Sequence, residues 1–308
     1  MKNYKGILFA ILASVAFGLM PIFAKFAYIN GSNPNTVLFF RFAIASLVLL
    51  VYLLFKKVSI KVTKKQFLLL FLTGIIGYTI TTQTLFMSYN YLGAGLATTL
   101  HFIYPVFVCI LEYAFFKQKM SRSKLISLIL AGFGVYALIA FENNTLSALG
   151  IFLALFSGIS YGVNVIMLAM KQIADIDNRV ITMYITFGAA VGMFIYSLIN
   201  GSLITKITIN LGISYILIAV ISTILSMILL LKGIEMIGAS STSILGTFEP
   251  IVSIIMGIIL FGEELTFALV IGTVLILIST IILARDKSGD ETIEEIIEEK
   301  NHSIGLQG

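Results

Sequence analysis

Charge, cysteine and proline are all scarce in this chain. Only 11% of its 308 residues are Asp, Glu, Lys or Arg, and it has one cysteine, two histidines, four prolines and no tryptophan. The lone Cys109 excludes an internal disulfide framework, and no zinc or haem spacing is present. Nothing matches an ATP-binding motif, so any energy for work would come from an ion gradient, substrate exchange or downhill flow. No cofactor or metal is expected. The formal charge of +5 does not point to nucleic acid, because it is distributed among short connections rather than gathered in a patch.

Apolar sequence fills the rest. Hydrophobic residues make up 59% of the chain and the mean hydropathy is +1.05, more than a soluble domain can hide. The predicted fold class is all-α and integral to a membrane. Ten spans of bilayer length are expected, at approximately 6–28, 35–55, 66–90, 94–116, 123–140, 147–170, 180–199, 211–231, 238–261 and 266–284. Met1 to Ala16 has the charge pattern of a signal peptide, but the apolar stretch continues to Tyr28.

The basic residues alternate with the loops. Lys56, Lys57, Lys61, Lys64 and Lys65 fill the second connection; Lys117, Lys119, Arg122 and Lys124 fill the fourth. Lys171 and Arg179 lie in the sixth, Lys232 in the eighth, and Arg285 and Lys287 after the last span. Lys206 and the acids Glu142, Glu263 and Glu264 fall in odd connections. By the positive-inside rule both termini are cytoplasmic.

The chain also repeats itself. Gly6 to Gly18 aligns without a gap on Gly150 to Gly162, and Gly93-Ala94, Leu100, Pro105 and Phe116 match Gly238-Ala239, Leu245, Pro250 and Phe261, about 145 residues on. Two five-span units are expected, residues 1–141 and 147–284, followed by a polar cytosolic tail, 285–308. Five is odd, so the second unit must be inverted relative to the first. Inverted repeats with interrupted helices are an architecture of secondary transporters, with substrate sites near the bilayer midplane.

Glu249-Pro250 lies within one apolar stretch. A carboxylate near the bilayer centre costs about 2.5–3.5 kcal/mol by insertion scales, which marks a functional pathway by default. Proline removes a helical hydrogen bond and frees a carbonyl. Tyr104-Pro105 is the counterpart in the first unit, so Pro105 and Pro250 are the expected helix breaks.

On these residues the chain resembles the EamA-type drug/metabolite transporters. Phe17-Gly18, Lys25 and Arg41-Phe42 resemble the family's opening, and Phe248-Glu249-Pro250 through Leu260-Phe261-Gly262-Glu263-Glu264-Leu265-Thr266 resembles its second-repeat signature, with Gly272 following. The resemblance implies ten helices in two inverted five-helix repeats, alternating access, and movement of a small metabolite, with amino acids or their derivatives the favoured class and export favoured over uptake. Lys117-Gln118-Lys119 departs from the Gly-Glu pair frequent there, and Phe17 stands where tryptophan is common.

The expected substrate pathway comprises Glu249, Tyr104, His101, Gln83, Asn164, Tyr161 and Thr247. Glu249 serves either as proton carrier or substrate partner, or as a structural carboxyl near a helix break. His101 either couples protons to transport or is a neutral hydrogen-bonding residue. Gln83 belongs to a polar run, Tyr78 to Thr84, suited to a wet path or to interhelical bonding. Lys25 and Arg41 fall in the outer parts of their helices, where they either snorkel to headgroups or line an outer vestibule. With Glu249 and His101 the chief ionisable groups, the pocket suits a small polar or amphipathic metabolite rather than a multiply charged one. Membrane lipids and a coupling proton are the other expected partners, with no nucleic acid and no obligate protein partner. Gly158-Ile159-Ser160-Tyr161-Gly162 fits the G-x-S-x-G nucleophile pattern, so an intramembrane serine hydrolase using Ser160 is one alternative. That motif needs a strand-to-helix turn, whereas small-residue spacing for close helix packing explains the glycines in an apolar span. A flippase for a lipid-linked substrate is the other.

Overall fold

The computed structural model describes residues 2–116, 121–140, 146–168, 176–237, 242, 245–246 and 248–285. Among these, all regular structure is helical. The first half holds α1 (Lys2–Gly18), α2 (Met20–Ile29), α3 (Pro34–Phe55), α4 (Lys64–Leu72), α5 (Thr79–Ser88), α6 (Ala94–His101), α7 (Tyr104–Phe116) and α8 (Arg122–Ala140). The second holds α9 (Ala148–Leu168), α10 (Asn178–Ile199), α11 (Ile209–Ala219), α12 (Ser226–Ile237), α13 (Phe248–Phe261) and α14 (Phe267–Ala284). Two π-helical segments, Thr73–Tyr78 and Val220–Leu225, join α4 to α5 and α11 to α12. Six helical segments are long and apolar enough to cross a membrane, and four shorter apolar helices accompany them. Large apolar side chains such as Leu47, Val51, Phe133, Tyr136 and Ile259 stay exposed around the bundle, a surface suited to lipid and not to water.

Local chemistry sets the helix ends. All four prolines lie in the first three positions of a helix (α2, α3, α7 and α13), where their missing N–H matters least. Asn33, Thr63 and Thr208 cap α3, α4 and α11 through their side chains. Gly262 ends α13 at φ 64°, a left-handed backbone that glycine adopts without penalty.

Packing runs between the halves. α3 lies on α10, α1 on α12 and α13, α6 on α9 and α13, and α8 on α14. Glycine allows the close crossings: an added methyl on Gly188 would stand 2.6 Å from the Phe71 carbonyl oxygen, and one on Gly192 2.9 Å from that of Ile75. The small-residue spacing at Gly188 and Gly192 therefore serves helix packing. Ser222 donates to the Ala16 carbonyl at 2.7 Å, satisfying a hydroxyl that apolar surroundings would otherwise penalise.

Candidate functional site

A cavity of about 260 Å³ lies between the halves. Its lining is drawn from α1 to α3, α5 to α7, α9, α10, α12, α13 and both π segments.

The interrupted helices build it. Pro21 cannot donate to the Phe17 carbonyl, and the first helix is interrupted at Leu19. Pro105 cannot donate to the His101 carbonyl, and the helix breaks between α6 and α7 at Phe102 and Ile103. α9 approaches that freed carbonyl closely: an added methyl on Gly158 would stand 2.9 Å from it. Pro250 is the third residue of α13, immediately after the cavity-lining Glu249. The π segments contribute Tyr78 and Thr223 to the lining, a placement typical of such local widenings.

Glu249, His101, Tyr104 and Tyr161 all line the cavity. The rings form one cluster: Tyr104 and Tyr161 meet edge to face at 4.8 Å, His101 lies 5.5 Å from Tyr161, and Tyr78 joins at 6.4 Å. Ser157 donates to the Ala154 carbonyl at 2.6 Å. Its hydroxyl oxygen therefore accepts from His101 Nδ1 at 2.8 Å, which makes Nδ1 a donor nitrogen of the ring.

Gln83 and Asn164 are buried beside the cavity, not along it. Gln83 Nε2 donates to Asn35 Oδ1. Asn164 Nδ2 donates to Thr81 Oγ1 at 3.0 Å, and Thr81 donates onward to Ser160 Oγ at 2.7 Å. Ser160 therefore sits in the uninterrupted α9 within an interhelical network, while His101 is bonded to Ser157. No strand-to-helix turn presents it as a nucleophile. Thr247, Lys117 to Lys119, the side chains of Cys109 and Glu112, and the acidic tail lie outside the described residues; neighbouring Thr242 and Gly246 line the cavity.

The two cations separate. Lys25 Nζ lies 2.6 Å from Glu263 Oε1, and the same carboxylate accepts the Ala94 N–H at 2.7 Å and the Gly95 N–H at 3.4 Å. Glu263, turned back by Gly262, thus joins α2, α13 and the N-terminus of α6, where a helix favours negative charge. Arg41, expected near an outer vestibule or the headgroups, instead lines the central cavity and is 6% exposed. Its Nε donates to Thr223 Oγ1 at 2.9 Å, and its guanidinium lies over the rings of Phe42 and Phe86 at 5.1 and 5.6 Å. Depth along one helix cannot locate it, because the long side chain follows a direction that neighbouring helices set. A single cation inside an apolar run is the available signal.

The profile of the EamA-like transporter family matches residues 4–140 and again residues 148–285. The chain is 24% identical over 280 residues to the uncharacterized transporter YcbK of Bacillus subtilis, spanning 87% of this chain and 88% of that one. It is 25% identical over 302 residues to the uncharacterized inner membrane transporter YicL of Salmonella typhimurium, spanning 92% and 96%. An uncharacterized transporter of Archaeoglobus fulgidus is 26% identical over 261 residues, spanning 83% and 90%. One crystal structure superposes with a TM-score of 0.64 over 91% of this chain and 96% of the other, at 12% identity, a likeness of fold.

Proposed function

Because the chain belongs to the EamA-like transporter family, we propose that this multi-pass membrane transporter is a secondary permease working by alternating access around the central cavity. Its ten helical segments cross the cell membrane as two five-helix repeats of opposite orientation, with both termini in the cytosol. The double family match and the π segments at corresponding places in the halves support the repeat. Thr182 and Leu230 in the lining lie near Arg179 and Lys232 in sequence, at the ends that the positive-inside rule assigns to the cytosol. The Lys25–Glu263 pair belongs to the opposite ends of its helices. The conformation described here is accordingly open towards the cytosol and shut outside.

The cargo is a small polar or amphipathic metabolite, with an amino acid or derivative the favoured class and export the favoured direction. The observation that carries the reading is the shared cavity: Glu249, His101, Tyr104 and Tyr161, from α13, α6, α7 and α9, line one space beside interrupted helices. Membrane-embedded ionisable groups facing a cavity mark substrate or ion pathways. Glu249 holds a cationic group of the cargo or a coupling proton.

Extracellular metabolite profiling tests this, comparing cells that express the unmodified chain with cells that express Glu249→Gln at matched membrane levels. A compound enriched outside only with the unmodified chain is the expected result. Enrichment with both would reduce Glu249 to a structural residue, and enrichment with neither would overturn export.

A further inference from the structure

We propose that Arg41 is the carboxylate-recognising residue of the central cavity, and that the cargo is a small zwitterion whose single carboxylate meets Arg41 while its cationic group meets Glu249. The proposal rests on the permease reading above and assigns the chemistry of its site.

Arg41 cannot be accounted for by lipid. At 6% exposure it has no path along which to snorkel, and it lies inside the bundle beside Phe42 and Phe86. A guanidinium carries five N–H donors. Among the described residues its hydrogen bond runs from Nε to Thr223 Oγ1, while Nη1 is buried with no partner. Ring faces attract its charge but accept no strong hydrogen bond. A buried guanidinium N–H left without an acceptor, as at Nη1, is costly, so a partner that arrives and leaves explains the retention of Arg41 better than packing does. The acceptor that a planar fork of N–H groups fits is a carboxylate or phosphate.

Charge balance chooses between those two. Among the described lining side chains, only Arg41 and Glu249 are of ordinarily charged type, and they are of opposite sign. A zwitterion with one carboxylate and one ammonium leaves no net charge in the closed space. A phosphate dianion would leave excess negative charge that no second cation among the described lining residues offsets. The tyrosine cluster and Phe17, Met20 and Phe102 provide an apolar wall for a side chain.

The test uses the purified full chain in lipid nanodiscs and isothermal calorimetry with L-leucine and L-phenylalanine, their carboxamides, and inorganic phosphate. For the better amino acid, the acid is expected to bind at least ~10-fold tighter than its carboxamide, as loss of a charge-assisted hydrogen bond implies. That ratio should fall to near one in Arg41→Gln, with Arg41→Lys intermediate. Phosphate should not displace the acid. Equal binding of acid and amide by the unmodified chain, displacement by phosphate, an unchanged ratio in Arg41→Gln, or no binding of either amino acid would each overturn the assignment. The acid–amide comparison on the unmodified chain decides the matter even if the variants fail to fold. The profiling experiment is independent: export of a compound lacking a carboxylate would retain the permease and reject the role of Arg41. Zwitterion binding with no movement across the membrane would do the reverse.

Discussion

Ser253 donates its hydroxyl to the carbonyl of Gly18 at 2.9 Å, joining α13 to α1 one residue before the interruption of the first helix. The two helices touch backbone to backbone there. A methyl group on Gly18 would stand 2.7 Å from the Glu249 carbonyl oxygen and 2.8 Å from Val252 Cβ, and neither can move aside without displacing a helix. Gly18→Ala is therefore expected to destabilise the protein by about 1–3 kcal/mol through overpacking. Ser253→Ala, which removes one hydrogen bond and adds no bulk, should cost about 0.5–1.5 kcal/mol. Thermal unfolding in detergent ranks the two; an alanine at position 18 as stable as glycine would refute the close crossing.

Thr81 decides what Ser160 does. Its hydroxyl gives its proton to Ser160 and accepts one from Asn164, whose Oδ1 is already buried without a partner. Thr81→Val should cost about 1–3 kcal/mol because it leaves buried polar groups unsatisfied. Ser160→Ala should cost nearer the ~0.6 kcal/mol average for an interhelical bond in a membrane. A fluorophosphonate probe should leave Ser160 unlabelled in the folded protein. Specific labelling at Ser160 would revive the hydrolase reading.

Much of this arrangement is legible in the sequence, and its gaps have physical causes. Apolar runs of bilayer length locate the helices because backbone in lipid must bond to itself, and Pro105 locates a break by removing a donor. Pro21, four residues past Phe17 in a run that otherwise looks continuous, marks the interruption of the first helix by the same rule, and α13 packs against α1 and α2 on either side of it. The π segments leave no comparable trace in composition. Gln83 and Asn164 show the limit of polarity as a signal: an amide in an apolar helix must find a partner, but the sequence does not say whether that partner is cargo or another helix. Arg41 shows the limit of depth, since the crossing of α3 with its neighbours directs its long side chain inward.

Glu263 and Lys25 are unequal partners in their ion pair. Removing the lysine leaves the carboxylate still bonded to the Ala94 and Gly95 N–H groups at the start of α6. Removing the carboxylate leaves a partly buried ammonium and uncaps that helix. Glu263→Met is therefore expected to lower stability by at least ~1 kcal/mol more than Lys25→Met, the worth of a lost cap. A double-mutant cycle by thermal unfolding should give a coupling of about 0.5–3 kcal/mol, the range for directly bonded residues. Equal effects of the two single changes would mean that the backbone contacts of Glu263 contribute nothing.

The same pair lies where the proposed alternating access requires an opening. If the cavity must exchange its cytosolic mouth for an outer one, Lys25 on α2 and Glu263 beyond α13 have to part in every cycle. A Lys25→Cys, Glu263→Cys double variant in a Cys109→Ala background allows that separation to be blocked by a short cleavable thiol cross-linker. The untreated variant should move cargo, since hydrogen bonding at the outer end holds the closed state without forming the path itself. Cross-linking should abolish movement, and cleavage of the linker should restore it. Binding from the cytosolic side should persist throughout, because Arg41 lies on α3 and Glu249 at the opposite end of α13 from the cross-link. Undiminished transport by fully cross-linked protein would show that the outer ends of α2 and α13 move together, and would refute their separation as the opening step.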